Sequence, residues 1–157
     1  MTAEQGSSAD ARPPKGDHEG PSSHTGRGAL SVGAALFDAG RHHAAHEVFE
    51  EAWIAARGTG RSAEALWWQG LVLCAGALHH RGTGNRSGQK ALGVRAIERL
   101  SAALDGAANS GGTEGAPWWT HRCRTWLERW RAFVAAEPAG ADPRLGDLVG
   151  EAGADEA

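Results

Sequence analysis

The sequence has no tyrosine, one methionine and only two cysteines. Cys74 and Cys123 lie far apart and in no C-x-x-C pair. That excludes a disulfide framework and a zinc ribbon, and leaves two buried thiols. No β-rich alternating run appears anywhere, so the chain has nothing from which to build a sheet. The longest apolar run, Ala65 to Leu78, is 14 residues and is interrupted by Gln69. It is too short to cross a bilayer and reads as a buried core helix. The start of the chain lacks the basic-then-apolar pattern of a secretory signal. A soluble, cytoplasmic protein with no membrane partner is therefore expected.

Large net charge is missing too. The formal value is −3, with −1 on residues 1–28 and −4 on residues 138–157. Residues 29–80 carry −2, whereas 81–131 carry nine Lys/Arg against four acids. A mildly basic second half is the ordinary signature of a solvated face, and a nucleic-acid partner is not expected. Residues 1–28 contain no Val, Ile, Leu, Phe or Trp, so nothing there offsets the entropy of ordering, and a disordered tail is expected. Residues 138–157 are rich in Gly, Ala, Asp and Glu and are expected to form an acidic flexible tail. The domain is then 29–137.

What is present is helical spacing. A first helix covers about Ala29–Ala39 and stops at Gly40, a C-cap glycine. A second covers His43–Arg57, and a third runs from about Ser62, an N-cap candidate, to Arg81. A fourth covers about Ser87–Leu104 before a Gly/Ser-rich loop from Gly106 to Gly115. A fifth opens at Pro117 and ends at Glu137 before Pro138. The third helix is apolar around its circumference apart from Gln69, so other helices must wrap it. On the fifth, Trp119, Trp126, Trp130 and Phe133 share a stripe that reads as core. Short connections make neighbours antiparallel. The expected fold class is all-α: a compact bundle of about five helices around a buried central helix, with disordered tails.

Chemistry-bearing residues concentrate in two segments. In the second helix, His46, Glu50, Trp53 and Arg57 fall along one stripe at about 100° per residue, while Glu47 and Glu51 lie on a more polar side. The stripe borders an apolar arc, where a polar pair costs free energy unless hydrogen-bonded. The second segment runs from His79-His80 to Gly88.

H-E-x-x-E-x-x-W on a helix, then an apolar helix ending in H-x4-N-x2-G, resembles the domain of unknown function 309 family. The matching residues are His46, Glu47, Glu50, Trp53, Gln69-Gly70, His80, Asn85 and Gly88, within about Leu36 to Leu100. The resemblance implies a small all-α fold with no established catalytic activity. The chain departs from the family in Arg81-Gly82-Thr83-Gly84, where members often carry a basic residue and a single Gly before the Asn.

Two uses of these residues compete. In the first, they form a structural polar network. Glu50 accepts from a core indole or Arg57, His46 bridges helices, His80 bonds backbone carbonyls, Asn85 and Ser87 cap the fourth helix, and Gly88 permits close approach. The chain is then a non-enzymatic helical module for protein binding or self-association. Seven tryptophans fit that reading, because burying both adjacent pairs, Trp67-Trp68 and Trp118-Trp119, in one monomer is difficult and one is expected at an interface. In the second, His46, Glu50 and His80 bind a divalent metal and Glu47 is the general base of a hydrolase. Helix register opposes this: His46 lies level with roughly Leu73, about 10 Å short of His80 at 1.5 Å per residue. A third use, anion or RNA binding by Arg122, Arg124, Arg129 and Arg131 or by the turn at 82–88, has the least support. Cys74, mid-helix in an apolar run, is poorly placed to act as a thiolate.

Overall fold

Three glycines with left-handed backbones set the topology. Gly40, Gly60 and Gly84 have φ of 78°, 75° and 76°, a conformation that a Cβ makes costly. Each closes a helix in the same way. The amides of Gly40, Gly60 and Gly84 donate to the carbonyls of Phe37, Arg57 and Arg81. The next amides, of Arg41, Arg61 and Asn85, reach back to Leu36, Ala56 and His80. This Schellman closure satisfies the last carbonyls and reverses the chain within a few residues.

The computed structural model describes residues 23–110, 115–136 and 141–150, with side chains from residue 26 onward. Among these residues are six helices: α1 (Ser23–Asp38), α2 (His42–Gly58), α3 (Ser62–Gly82), α4 (Arg86–Asn109), α5 (Thr120–Ala136) and the single turn α6 (Asp147–Gly150). There is no strand among them, and the architecture is the all-α bundle expected. α3 lies between α2 and α4; α1 packs on α2, α5 on α4, and α6 touches both α1 and α5. Beneath α3 the outer helices meet: Trp126 of α5 packs edge-on against Phe37 of α1, with ring centroids 5.6 Å apart. Its indole N–H donates to Cys74 Sγ of α3 at 3.4 Å.

Element ends differ from the sequence reading in instructive ways. α1 begins at Ser23, ahead of Ala29, because Trp118 supplies the apolar surface that this stretch lacks. Gly26 sits so close that a Cβ would lie 2.9 Å from Trp118 Cζ2, and the Arg27 guanidinium is 5.7 Å from the indole centroid. The disorder expected for residues 1–22 lies outside the described residues. α4 continues to Asn109, into the expected loop, since Gly106 packs against Ala63 of α3. α5 starts at Thr120, after a turn in which Thr120 N and Oγ1 both donate to Pro117 O. The residue before α3 is Arg61, without a side-chain cap, so Ser62 is the first helical residue and not the cap.

The flexible tail expected over 138–157 is corrected for residues 141–150. Leu145 and Leu148 are fully buried, an anchor that two leucines among small and acidic residues made easy to undervalue. Polar contacts fix the same strap. Asp38 Oδ1 and Oδ2 accept the amides of Leu145 and Gly146 at 2.8 Å each, Arg122 Nε donates to Leu148 O, and Arg81 pairs with Asp142.

The tryptophan expectation is also corrected. Trp67, Trp68 and Trp119 are all buried and Trp118 half-buried. Trp67 stacks on Trp119 at 6.3 Å, and Trp68 lies between Phe49 and Trp118. Both members of each pair find cover because α3 is wrapped on most sides and the guanidiniums of Arg27 and Arg122 cover Trp118. The fifth-helix stripe is core, as its spacing indicates: Trp119, Trp126, Trp130 and Phe133 are buried.

Candidate functional site

One stripe of α3 is left without a full cover. Leu66, Gln69, Leu73, Gly76 and His80 are half-buried, while the faces carrying Trp67, Trp68, Leu71, Cys74 and Leu78 are closed. Their alternating three- and four-residue spacing places them in line along the helix, the spacing of a seam that packs against another helix.

Neighbouring contacts show which flanks of α2 and α4 border this stripe. On α4, Leu92 lies over Gly76, where a Cβ would be 3.0 Å from its Cδ1, and Gly88 lies over His80. Arg99 is two turns beyond Leu92 on the same flank. It is half-buried, and its Nε is enclosed with no hydrogen-bond partner among the described residues. On α2, Val48, Ala52 and Ala55 face α1 across a shared groove. The opposite flank, with His46, Glu50 and Trp53, therefore turns toward the α3 stripe. The contact of His43 with His79 and of Phe49 with Trp68 puts Glu50 level with Gln69. The approach of Leu100 to Gly70 puts Arg99 at that level on the other side. A carboxylate, an amide and a guanidinium thus follow one another across the face.

The motif residues divide into two groups. His80, Asn85 and Gly88 form a clasp between the end of α3 and the start of α4. Asn85 is the N-cap, and its Oδ1 accepts the Gly88 amide at 2.9 Å. Its Nδ2, which can only donate, lies 3.2 Å from His80 Nδ1, so that ring nitrogen is the acceptor. A Cβ on Gly88 would sit 2.8 Å from Asn85 Nδ2 and 2.9 Å from His80 Cγ. Arg81-Gly82-Thr83-Gly84 is thus long enough to deliver Asn85 to its cap position. Ser87 is exposed and makes no cap.

The second group stays open. Among the described residues, Glu50 has no hydrogen-bond or ion-pair partner, and the acceptor role expected from a core indole or Arg57 is not realised. The Trp68 indole donates to Glu64 instead, and Arg57 lies over Trp53, 4.9 Å from the ring centroid. Among the described residues His46 makes no hydrogen bond or ion pair, and its ring lies parallel to that of His43 with centroids 6.3 Å apart. Glu47 is exposed and approaches His43 at 3.7 Å, away from the stripe. Gln69 sits half-buried in the middle.

His46, Glu50 and His80 are not brought together. His80 is turned to Asn85, and among the described residues no three His, Cys, Asp or Glu side chains are grouped to hold a metal ion. Burial holds the His42 imidazole below its ordinary 6.5, with Asp142 pulling it up and His79 adding to the depression. Burial likewise raises both thiols, Cys74 far above its usual range and Cys123 to about 12, so neither is poised as a nucleophile. Arg122 is inside the fold, donating to Trp118 O and Leu148 O. Arg129 and Arg131 are engaged with Asp147 and Ser101, so the fifth helix does not present one basic stripe.

Sequence reasoning missed Leu66, Leu73, Leu92 and Arg99 as parts of this face. The three leucines looked like core, and only the 3-4 spacing that Leu66 and Leu73 share with Gln69 and His80 along α3 could have singled out those two. Arg99 carried no signal beyond its two-turn distance from Leu92.

No helix among the described residues is long and apolar enough to cross a membrane. No curated protein and no solved structure matches the chain. Residues 30–92 match the model of the family described as Domain of unknown function (DUF309), a segment that holds α2, α3, the clasp and most of α1. Over that segment the chain is similar to the DUF309 family.

Proposed function

We propose that this chain is a non-enzymatic helical module that binds a protein helix, from a partner or from a second copy, along α3 between α2 and α4. The observation that carries this reading is the half-buried stripe Leu66, Gln69, Leu73, Gly76 and His80. Its 3-4 spacing is what a docked helix packs against. The rims carry opposite charges at one level, Glu50 on α2 and Arg99 on α4, and neither is paired within the described residues. A ligand helix with an apolar stripe, a basic residue toward α2 and an acidic one toward α4 satisfies both. His80, Asn85 and Gly88 have a structural task that needs no ligand, which splits the motif into a clasp and a docking face. A metal-dependent hydrolase draws no support from this geometry, since His80 is committed to the clasp.

The test is substitution of Leu73 by Arg, which places a charge in the seam on a half-buried residue. Binding of the partner helix should be lost while the circular dichroism of the fold is retained. Retained binding would overturn the reading.

A further inference from the structure

A second groove lies on the opposite flank of α2, between α1 and α2 over the N-terminal half of α3. Its volume is about 520 Å³, within the range of sites for small organic ligands. Its walls are Val32, Val48, Ala52 and Ala55, and Val32 is 55% exposed. Among the described residues two charged side chains line it, Glu51 and Glu64, and both are carboxylates. Glu64 is engaged: Oε1 accepts the Trp68 indole N–H at 3.2 Å and Oε2 lies 3.4 Å from Arg61. Glu51 is exposed and has no partner among the described residues. Among the described residues the groove therefore offers an apolar trough with an unspent negative charge at its mouth and no cation in its lining.

We propose that this groove binds a small organic cation, an alkyl or aryl body with an ammonium-type head. The body replaces water along Val32, Val48 and Ala55, where removing apolar surface from solvent drives binding. The head pairs with Glu51 at the rim, where the carboxylate need not be fully desolvated. An anionic amphiphile of the same length meets the same walls and the opposite electrostatics, so the site discriminates by charge. This site shares no residue with the face on α3 and stands or falls independently of it.

The experiment is calorimetric titration of the full-length protein with octyltrimethylammonium and octyl sulfate below their aggregation limits, with backbone NMR to locate each. The cation should bind about fivefold or more tighter than the sulfate, the scale of one exposed ion pair, and shift Val32, Val48 and Ala55. Glu51→Gln should erase that preference while leaving the fold unchanged. Gly28 lines the groove on its α1 side and a Cβ there meets nothing within 4 Å, so Gly28→Leu adds apolar bulk at that wall. It should weaken binding by about tenfold, the scale of losing the burial of roughly two methylenes of the ligand body. Equal affinity for the two head groups, shifts confined to other surfaces, or unchanged binding by Gly28→Leu would each overturn the proposal. Dissociation of an oligomer by Gly28→Leu would do so as well, by showing that a second copy fills the groove.

Discussion

Asn85 holds His80 from one side and Gly88 from the other: its Nδ2 lies 3.2 Å from His80 Nδ1 while its Oδ1 accepts the Gly88 amide at 2.9 Å. One side chain thereby joins the end of α3 to the first turn of α4. It explains why three residues spread over nine positions behave as one motif.

Gly88→Ala tests that packing. Alanine favours a helix over glycine by up to about 1 kcal/mol, so an unobstructed site would gain stability. Here the new Cβ collides with Asn85 and His80, and a net loss of about 1–3 kcal/mol is expected in urea unfolding. Gly28→Ala, at a helical position where a Cβ meets nothing within 4 Å, should be neutral or stabilising. The same sign for both substitutions would contradict the clasp.

His46→Ala and Glu50→Ala are expected to change unfolding free energy by less than about 0.5 kcal/mol, the norm for residues without a specific partner. A structural network would have cost more, because each removal would orphan a buried group. A loss above about 2 kcal/mol for either would restore the structural reading of the α2 motif.

The sequence made much of the fold legible. The 3.6-residue periodicity, the glycine stops at 40, 60 and 84 and the all-round apolar third helix led to the antiparallel α1–α4 order. The strap was hidden, because burial of Leu145 and Leu148 depends on a receiving surface and on Asp38, 107 residues from Leu145. The start of α1 was hidden for the same reason, its apolar contact being Trp118. At the site, the helix-wheel placement of His46, Glu50 and Glu47 agrees with the burial pattern. What a wheel could not supply is the partner of each group: Trp68 bonds Glu64 rather than Glu50, and Asn85 rather than a backbone carbonyl meets the His80 ring.

Asp38→Ala should release the strap. Two hydrogen bonds to a carboxylate are lost, each worth about 1.5–3 kcal/mol. Hydrogen exchange at the Leu145 and Gly146 amides should accelerate before the rest of the domain opens. Exchange at those amides unchanged by the substitution would show that the two leucines alone hold the segment.

The thiols give a pH dependence of known sign. Folding raises both above the ordinary value of 9.0, Cys123 to about 12. The native state then keeps protons that the unfolded chain gives up, so stability is intact below about pH 9 and falls as pH rises from there toward 12. Replacing both cysteines with alanine should flatten that alkaline limb. In the native protein at pH 8 neither thiol should react with a disulfide reagent until the chain is unfolded.

The docking face is tested most directly by a photoactivatable crosslinker placed at Gln69, in the middle of the α3 stripe, with the exposed Val94 of α4 as control. In the protein's native cells, illumination should join the Gln69 probe to one discrete protein chain, whether a second copy or another partner. The Val94 probe should give no such product, and adding Leu73→Arg should abolish it. No discrete product from Gln69, an equal product from Val94, or a product indifferent to Leu73→Arg would contradict a helix-binding role for this face.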